Sequence, residues 1–104
     1  MSAMNSASFD AFTADAHAAG FDETLVREYQ PNQVIGTHTH PFDVEAVVTR
    51  GEMWLTFDGR TRHLLPGGSF EIGAHTPHDE TYGPAGATFW VARRNQRPPA
   101  HQLR

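Results

Sequence analysis

The spacing of hydrophobic positions changes once along this chain, at Gly20. From Ser8 to Ala19 the apolar residues Phe9, Phe12, Ala16 and Ala19 recur at three- and four-residue intervals. That period predicts one short amphipathic helix, with Ser8 as N-cap and Gly20 as terminator. Its two phenylalanines predict a face packed against the rest of the fold. After Gly20 the pattern becomes a series of short β-rich segments, 22–29, 33–40, 43–50, 52–58, 61–65, 69–73, 78–82 and 86–94. Between them stand Pro31-Asn32, Arg50-Gly51, Asp58-Gly59, Pro66-Gly67-Gly68 and Gly83-Pro84, which tolerate turn geometry. Many short strands with close turns predict an all-β barrel or sandwich. Asp58-Gly59 is a tight-hairpin signal. In 52–58, Met53, Leu55 and Phe57 alternate with Glu52, Thr56 and Asp58, as in a strand with one buried face. Trp54 interrupts that alternation and is expected to be covered by the helix or by a second subunit. Of Phe89 and Trp90, alternation puts one inside the barrel whichever face is inward.

A length of 104 residues fits one compact domain, expected over 8–94, between a frayed 1–7 and an extended or disordered 95–104 containing Pro98-Pro99. So small a chain has a small core, and this predicts a homodimer that covers Trp54 and the apolar run Ala46-Val47-Val48. The formal charge is −4, and all eight basic residues are arginines without a basic run, which argues against a nucleic-acid surface. No apolar stretch reaches the roughly 20 residues of a membrane-spanning helix, and the N-terminus does not read as a signal peptide. A cytoplasmic protein without membrane partners is the expectation. Cysteine is absent. Thiolate sites are therefore excluded, and any metal has to be held by imidazole, carboxylate or water.

Seven histidines are available. His38 and His40 lie two apart in Gly36-Thr37-His38-Thr39-His40-Pro41, and two residues apart on a strand means one face. Further along comes Pro66-Gly67-Gly68-Ser69-Phe70-Glu71-Ile72-Gly73-Ala74-His75-Thr76-Pro77-His78. In this order the two segments resemble the two motifs of the cupins: HxHP followed by a strand and a glycine turn, then PGD, an apolar strand and a P-x-G-x-P-H ending. The likeness covers 36–78 and extends through β-rich flanks to about 22–94. It implies an RmlC-like jelly-roll barrel with a short N-terminal helix, in which His38, His40 and His78 hold one divalent transition metal. Neutral imidazoles suit Zn, Fe, Ni or Cu.

The family's fourth ligand, a glutamate in the first motif, is where the sequence departs. Counted forward from His40 the position falls on Glu45; counted back from Gly51 it falls on Val44. A bulge after Pro41 would turn Glu45 inward, whereas a regular strand turns Glu45 outward beside Asp43 and leaves a site of three histidines and water. Thr37, Thr39, Asp79 or the backbone are candidates to orient the rings. His75 occupies a turn-glycine position and is expected to face solvent at the barrel mouth; His63 is expected at the surface, and His17 and His101 outside the barrel. Glu80 and Tyr82 share the face of His78, either reaching a bound ligand or forming a charged edge.

The resemblance implies a small-molecule site. Its uses divide into a three-histidine metal-dependent enzyme such as a dioxygenase, a non-catalytic sensing or binding module like the cupin half of sugar-responsive regulators, and a metal that only stabilises the fold. Three protein ligands favour the first two, because structural sites are usually closed by four.

Overall fold

The computed structural model describes residues 8–95. The expected frayed N-terminus and the tail beyond Asn95 lie outside the described residues. One helix, α1 (Phe9–Ala18), precedes six strands: β1 (Glu23–Tyr29), β2 (Val34–His38), β3 (Phe42–Phe57), β4 (Arg60–Leu64), β5 (Ser69–Ile72) and β6 (His78–Asn95). All strand pairings are antiparallel. Among the described residues no helix is long and apolar enough to cross a membrane.

The helix begins and ends as its pattern predicts. Ser8 is the N-cap and accepts a hydrogen bond from the Ala11 amide at 3.1 Å, and Gly20 follows with φ +94. Phe9 and Phe12 pack on Trp90, with centroids 5.9 and 5.8 Å away. Trp90 is thus the outer member of its pair, and Phe89, 4% exposed, the inner one.

Two expected turns are not turns. Segments 43–50 and 52–58 form one strand, β3, and 78–82 and 86–94 form another, β6. The glycines and proline that suggested chain reversals sit instead in strands that bend. Gly51 and Gly86 both have positive φ, +77 and +71, and a Cβ on Gly51 would overlap the Gly86 carbonyl. The β3–β6 register shifts on either side of Gly51, between Val48 and Arg50 and again before Met53. Glycine here permits close backbone approach and a bulge, not a hairpin.

This shared bend divides the long strands between two layers. The C-terminal half of β6 pairs with β1 and with the N-terminal half of β3, which also pairs with β5. The N-terminal half of β6 pairs with β2 and with the C-terminal half of β3, which also pairs with β4. The result is a jelly-roll barrel. Asp58 and Gly59, with φ +54 and +72, close the β3–β4 hairpin between the paired residues Phe57 and Arg60, the geometry of a two-residue I′ turn.

Between the layers lies one cluster, including Val44, Ala46, Val48, Met53, Leu55, Tyr82 and Phe89. A second cluster under α1 joins Phe12, Ala16 and Phe21 to Val47 and Ala92. The run Ala46-Val47-Val48 is therefore buried within the chain, with Val47 covered by the helix rather than by a second subunit. Trp54 is half-buried and its ring stacks on His63 of β4, with centroids 4.5 Å apart and planes at 3°. Both features thus have intrachain contacts, and Trp54 keeps a part-exposed face.

Candidate metal centre

β2 is shorter than its pattern predicts. It ends at His38, and its pairing with β6 is irregular between Ile35 and His38. His40 thus lies just past the strand, yet it converges with His38. The three rings of His38, His40 and His78 have centroids 5.4, 4.3 and 4.7 Å apart, and each offers a nitrogen within 4.8 Å of the others. His38 faces His78 directly across the β2–β6 ladder. The turn before β6 is tied to the first histidine pair by the His75 amide, which donates to the His40 carbonyl at 2.7 Å. His75 itself has φ +65 and is exposed, as expected of a residue in a glycine-type turn position.

The tautomers of two rings follow from their partners. Nδ1 of His38 lies 2.8 Å from the Gly36 carbonyl and Nδ1 of His78 lies 2.8 Å from the Thr76 carbonyl. A carbonyl only accepts, so each Nδ1 carries a proton, and in the neutral ring the lone pair then lies on Nε2. Backbone carbonyls therefore orient these rings; Thr37 and Asp79 instead pair with each other at 3.5 Å. His40 stacks on Phe42 at 4.6 Å, and its Nδ1 is buried without a hydrogen-bond partner. Burial, followed by the charges of His78, His38, Arg93 and Arg27, lowers the His40 pKa to about 4. Its ring is neutral at physiological pH. Three imidazoles with ligand nitrogens within 4.8 Å of one another, one of them with an unsatisfied buried nitrogen, fit a bound cation, and the all-nitrogen donors suit a transition metal.

Glu45 does not join this group. β3 is regular from Phe42 to Val48: Val44, Ala46 and Val48 face the barrel interior, and Glu45 faces outward. It sits opposite Glu71 in the β3–β5 ladder. The back-count from Gly51 gives the true register, and Pro41 introduces no bulge into β3. Asp43 is also engaged elsewhere, accepting from the Ala74 amide at 2.8 Å and from Arg94 at 3.2 Å. His63 bonds Glu52 at 2.6 Å on the surface. His17 lies in α1, outside the barrel, and His101 lies outside the described residues.

A different carboxylate does reach the centre. Glu80, 9% exposed, has Oε2 at 3.5 Å from Nε2 of both His38 and His78. Its other oxygen accepts from the Tyr82 hydroxyl. Tyr82 is 1% exposed and stacks on Tyr29 with centroids 4.4 Å apart. Burial, then the Glu80 charge, pushes the phenol far above its ordinary range, so it remains a donor.

The centre opens into a cavity of about 400 Å³ between the layers. Its walls are mostly apolar, with Ile35, Val44, Phe70, Ile72, Phe89 and Val91, and it also holds two guanidinium groups, Arg27 and Arg93. Arg27 contacts the Tyr29 hydroxyl at 3.1 Å. Arg93 lies over the Phe42 ring at 4.5 Å, with Glu23 at 3.8 Å. Sequence reasoning did not single out these arginines, although Arg27 shares a strand face with Leu25 and Tyr29, and Arg93 with Phe89 and Val91, residues of the apolar barrel interior.

A sequence model described as "Cupin domain" matches residues 25–83, more than half of the chain. The chain belongs to the cupin family. This cupin's barrel also resembles solved structures. One reported under DMSP lyases RdDddP and RnDddQII aligns at TM-score 0.65 and 22% identity, covering 69% of this chain and 37% of that one. An RmlC-like cupin from Shewanella frigidimarina aligns at TM-score 0.63 and 22% identity, covering 71% and 66%. A protein of unknown function from Rhizobium leguminosarum bv. viciae aligns at 0.64 and 18%, covering 81% and 93%. The cupin described here thus spans little more than a third of the first of these and just under two thirds of the second. At these identities the likeness concerns the fold. No curated protein sequence matches the chain.

Proposed function

We propose that this cupin holds one divalent transition metal through His38, His40 and His78 and uses it to bind and activate a small molecule in the adjoining cavity. The observation that carries the reading is the convergence of three imidazoles at the wall of an open, largely apolar cavity. When bound, such an ion acts as a Lewis acid toward an oxygen donor or a coordinated small molecule. The chain's own groups set what can enter. Ile35, Val44, Phe70 and Phe89 shed water around an apolar body, and among the described residues Arg27 and Arg93 bring guanidinium charges to the lining. A compact ligand with an apolar part and an anionic group such as a carboxylate suits that lining. DMSP lyases occur among the similar structures, at an identity too low to carry over an activity or a substrate.

The test is whether an exogenous ligand reaches the ion through the cavity. The metal-free chain is loaded with Co²⁺ and titrated with azide, while the visible absorption of the ion is followed. A saturable spectral change is expected, weakened by substitution of Arg93 with Gln. A Co²⁺ spectrum indifferent to azide would assign the metal a purely structural role.

A further inference from the structure

The first motif of this cupin has Val44 where a carboxylate ligand is expected; Glu45 faces away, and Asp43 accepts from the Ala74 amide and Arg94. Glu80 alone among the described residues is placed against two of the three imidazoles, and its geometry is not that of an ordinary ion pair. Nitrogen–oxygen hydrogen bonds have lengths of roughly 2.7–3.2 Å, whereas Glu80 Oε2 stands 3.5 Å from Nε2 of His38 and equally 3.5 Å from Nε2 of His78. Two donors that share a tetrahedral ion at about 2.0–2.2 Å lie roughly 3.3–3.5 Å apart. The oxygen is thus at ligand-to-ligand spacing from both nitrogens. In the neutral rings each Nδ1 proton is committed to a backbone carbonyl, which leaves Nε2 as the atom available to a metal.

We infer that Glu80 is the anionic ligand of the metal centre, supplied from β6 two residues after His78 in place of the side chain missing from the first motif. The alternation of β6 is what allows it: His78, Glu80 and Tyr82 project from one face into the barrel. Tyr82 is the positioning residue. Its hydroxyl donates to Oε1, leaving Oε2 free toward the imidazoles. Its ring is fixed by near-parallel stacking on Tyr29, at 5° between planes. A carboxylate held this way would add one oxygen beside the imidazoles of His38 and His78 and lower the net charge of the site by one, which favours retention of a divalent ion, and a cavity ligand would enter at a further coordination position.

This inference rests on the three-histidine centre proposed above, and its test separates the two. Co²⁺ is titrated into the metal-free wild type, Glu80→Gln, Tyr82→Phe and the double variant, with affinity measured by calorimetry and coordination by visible absorption. Circular dichroism of the metal-free forms reports folding. Glu80→Gln should weaken Co²⁺ binding on the order of 100-fold and alter the absorption bands, because an anionic ligand is lost. Tyr82→Phe keeps the stacked ring and should weaken binding roughly 10-fold, the lower end of the range for a group that orients a ligand. In the Glu80→Gln background it should add nothing further, which a merely structural tyrosine would not reproduce. Wild-type affinity and bands in Glu80→Gln would overturn the role of Glu80 and leave the histidine centre standing. A wild type that binds no Co²⁺ would overturn both. If Glu80→Gln does not fold, Tyr82→Phe decides: unchanged affinity and bands in that variant overturn the inference.

Discussion

Replacement of Glu45 by Gln should stabilise this cupin above neutral pH while leaving its metal affinity untouched. Glu45 and Glu71 face each other across the β3–β5 ladder. Burial, then the hydrogen bond and the charge of Glu71, raise the Glu45 pKa to about 7 from an ordinary 4.5, against a smaller opposing effect of Arg94. The folded state therefore binds a proton more tightly than the unfolded chain. The stability this contributes is complete below the unfolded pKa near 4.5 and is lost as pH rises through about 7. Gln mimics the protonated form: it retains a donor toward Glu71 and removes the repulsion. Like charges directly opposite on a sheet cost about 0.2–1 kcal/mol, and solvent access to Glu71 keeps this pair toward the lower half of that range. With a urea m-value near 1 kcal/mol/M for a domain this small, the midpoint at pH 8 should rise by roughly 0.2–0.5 M. At pH 5 wild type and variant should nearly coincide. Urea denaturation at both pH values tests the account directly. A variant equal to or less stable than wild type at pH 8 would refute it, and a loss of metal affinity would mean that Glu45 faces the ion after all.

Three further perturbations follow from the fold. Phe12→Ala empties a fully buried site between α1 and Trp90 and should cost about 3–5 kcal/mol, measured by the same denaturation series. Gly51→Ala forces a side chain into left-handed backbone against the Gly86 carbonyl; strain of roughly 1–3 kcal/mol plus the overlap should lower the melting temperature by at least several degrees. Ser8→Ala removes the cap that holds the Ala11 amide, and should cost about 1 kcal/mol with faster amide exchange confined to the first helical turn.

What the sequence revealed and what it concealed have separate physical causes. The helix was legible because its apolar period and its cap agree, and the Asp58-Gly59 hairpin because few residues accept two successive positive φ values. The convergence of His38, His40 and His78 was legible from motif order, even though β2 stops at His38 and only the chain beyond it brings His40 in. Arg50-Gly51 and Gly83-Pro84 misled because glycine signals positive φ or close approach, and local sequence does not distinguish a chain reversal from a bend inside a long strand. Only the packing of Gly51 against Gly86 does so. The outward set of Glu45 was decidable by counting back from Gly51, since that glycine anchors the strand register at the barrel corner. Sequence alternation does not show that α1 covers Val47 or that the His63 ring stacks on Trp54. The nearness of Glu80 to two imidazoles depends on a cross-strand register, His38 opposite His78, that no count along one strand contains.

The central claim, that three histidines from two distant segments hold one metal ion, is tested most directly by metal stoichiometry. Chelator-treated wild type and His78→Ala are equilibrated with Zn²⁺, freed of excess ion, checked for folding by circular dichroism and measured by elemental analysis. One zinc per wild-type chain and essentially none in the folded variant are expected. A wild type without zinc, or a His78→Ala chain that retains a full equivalent, would contradict it.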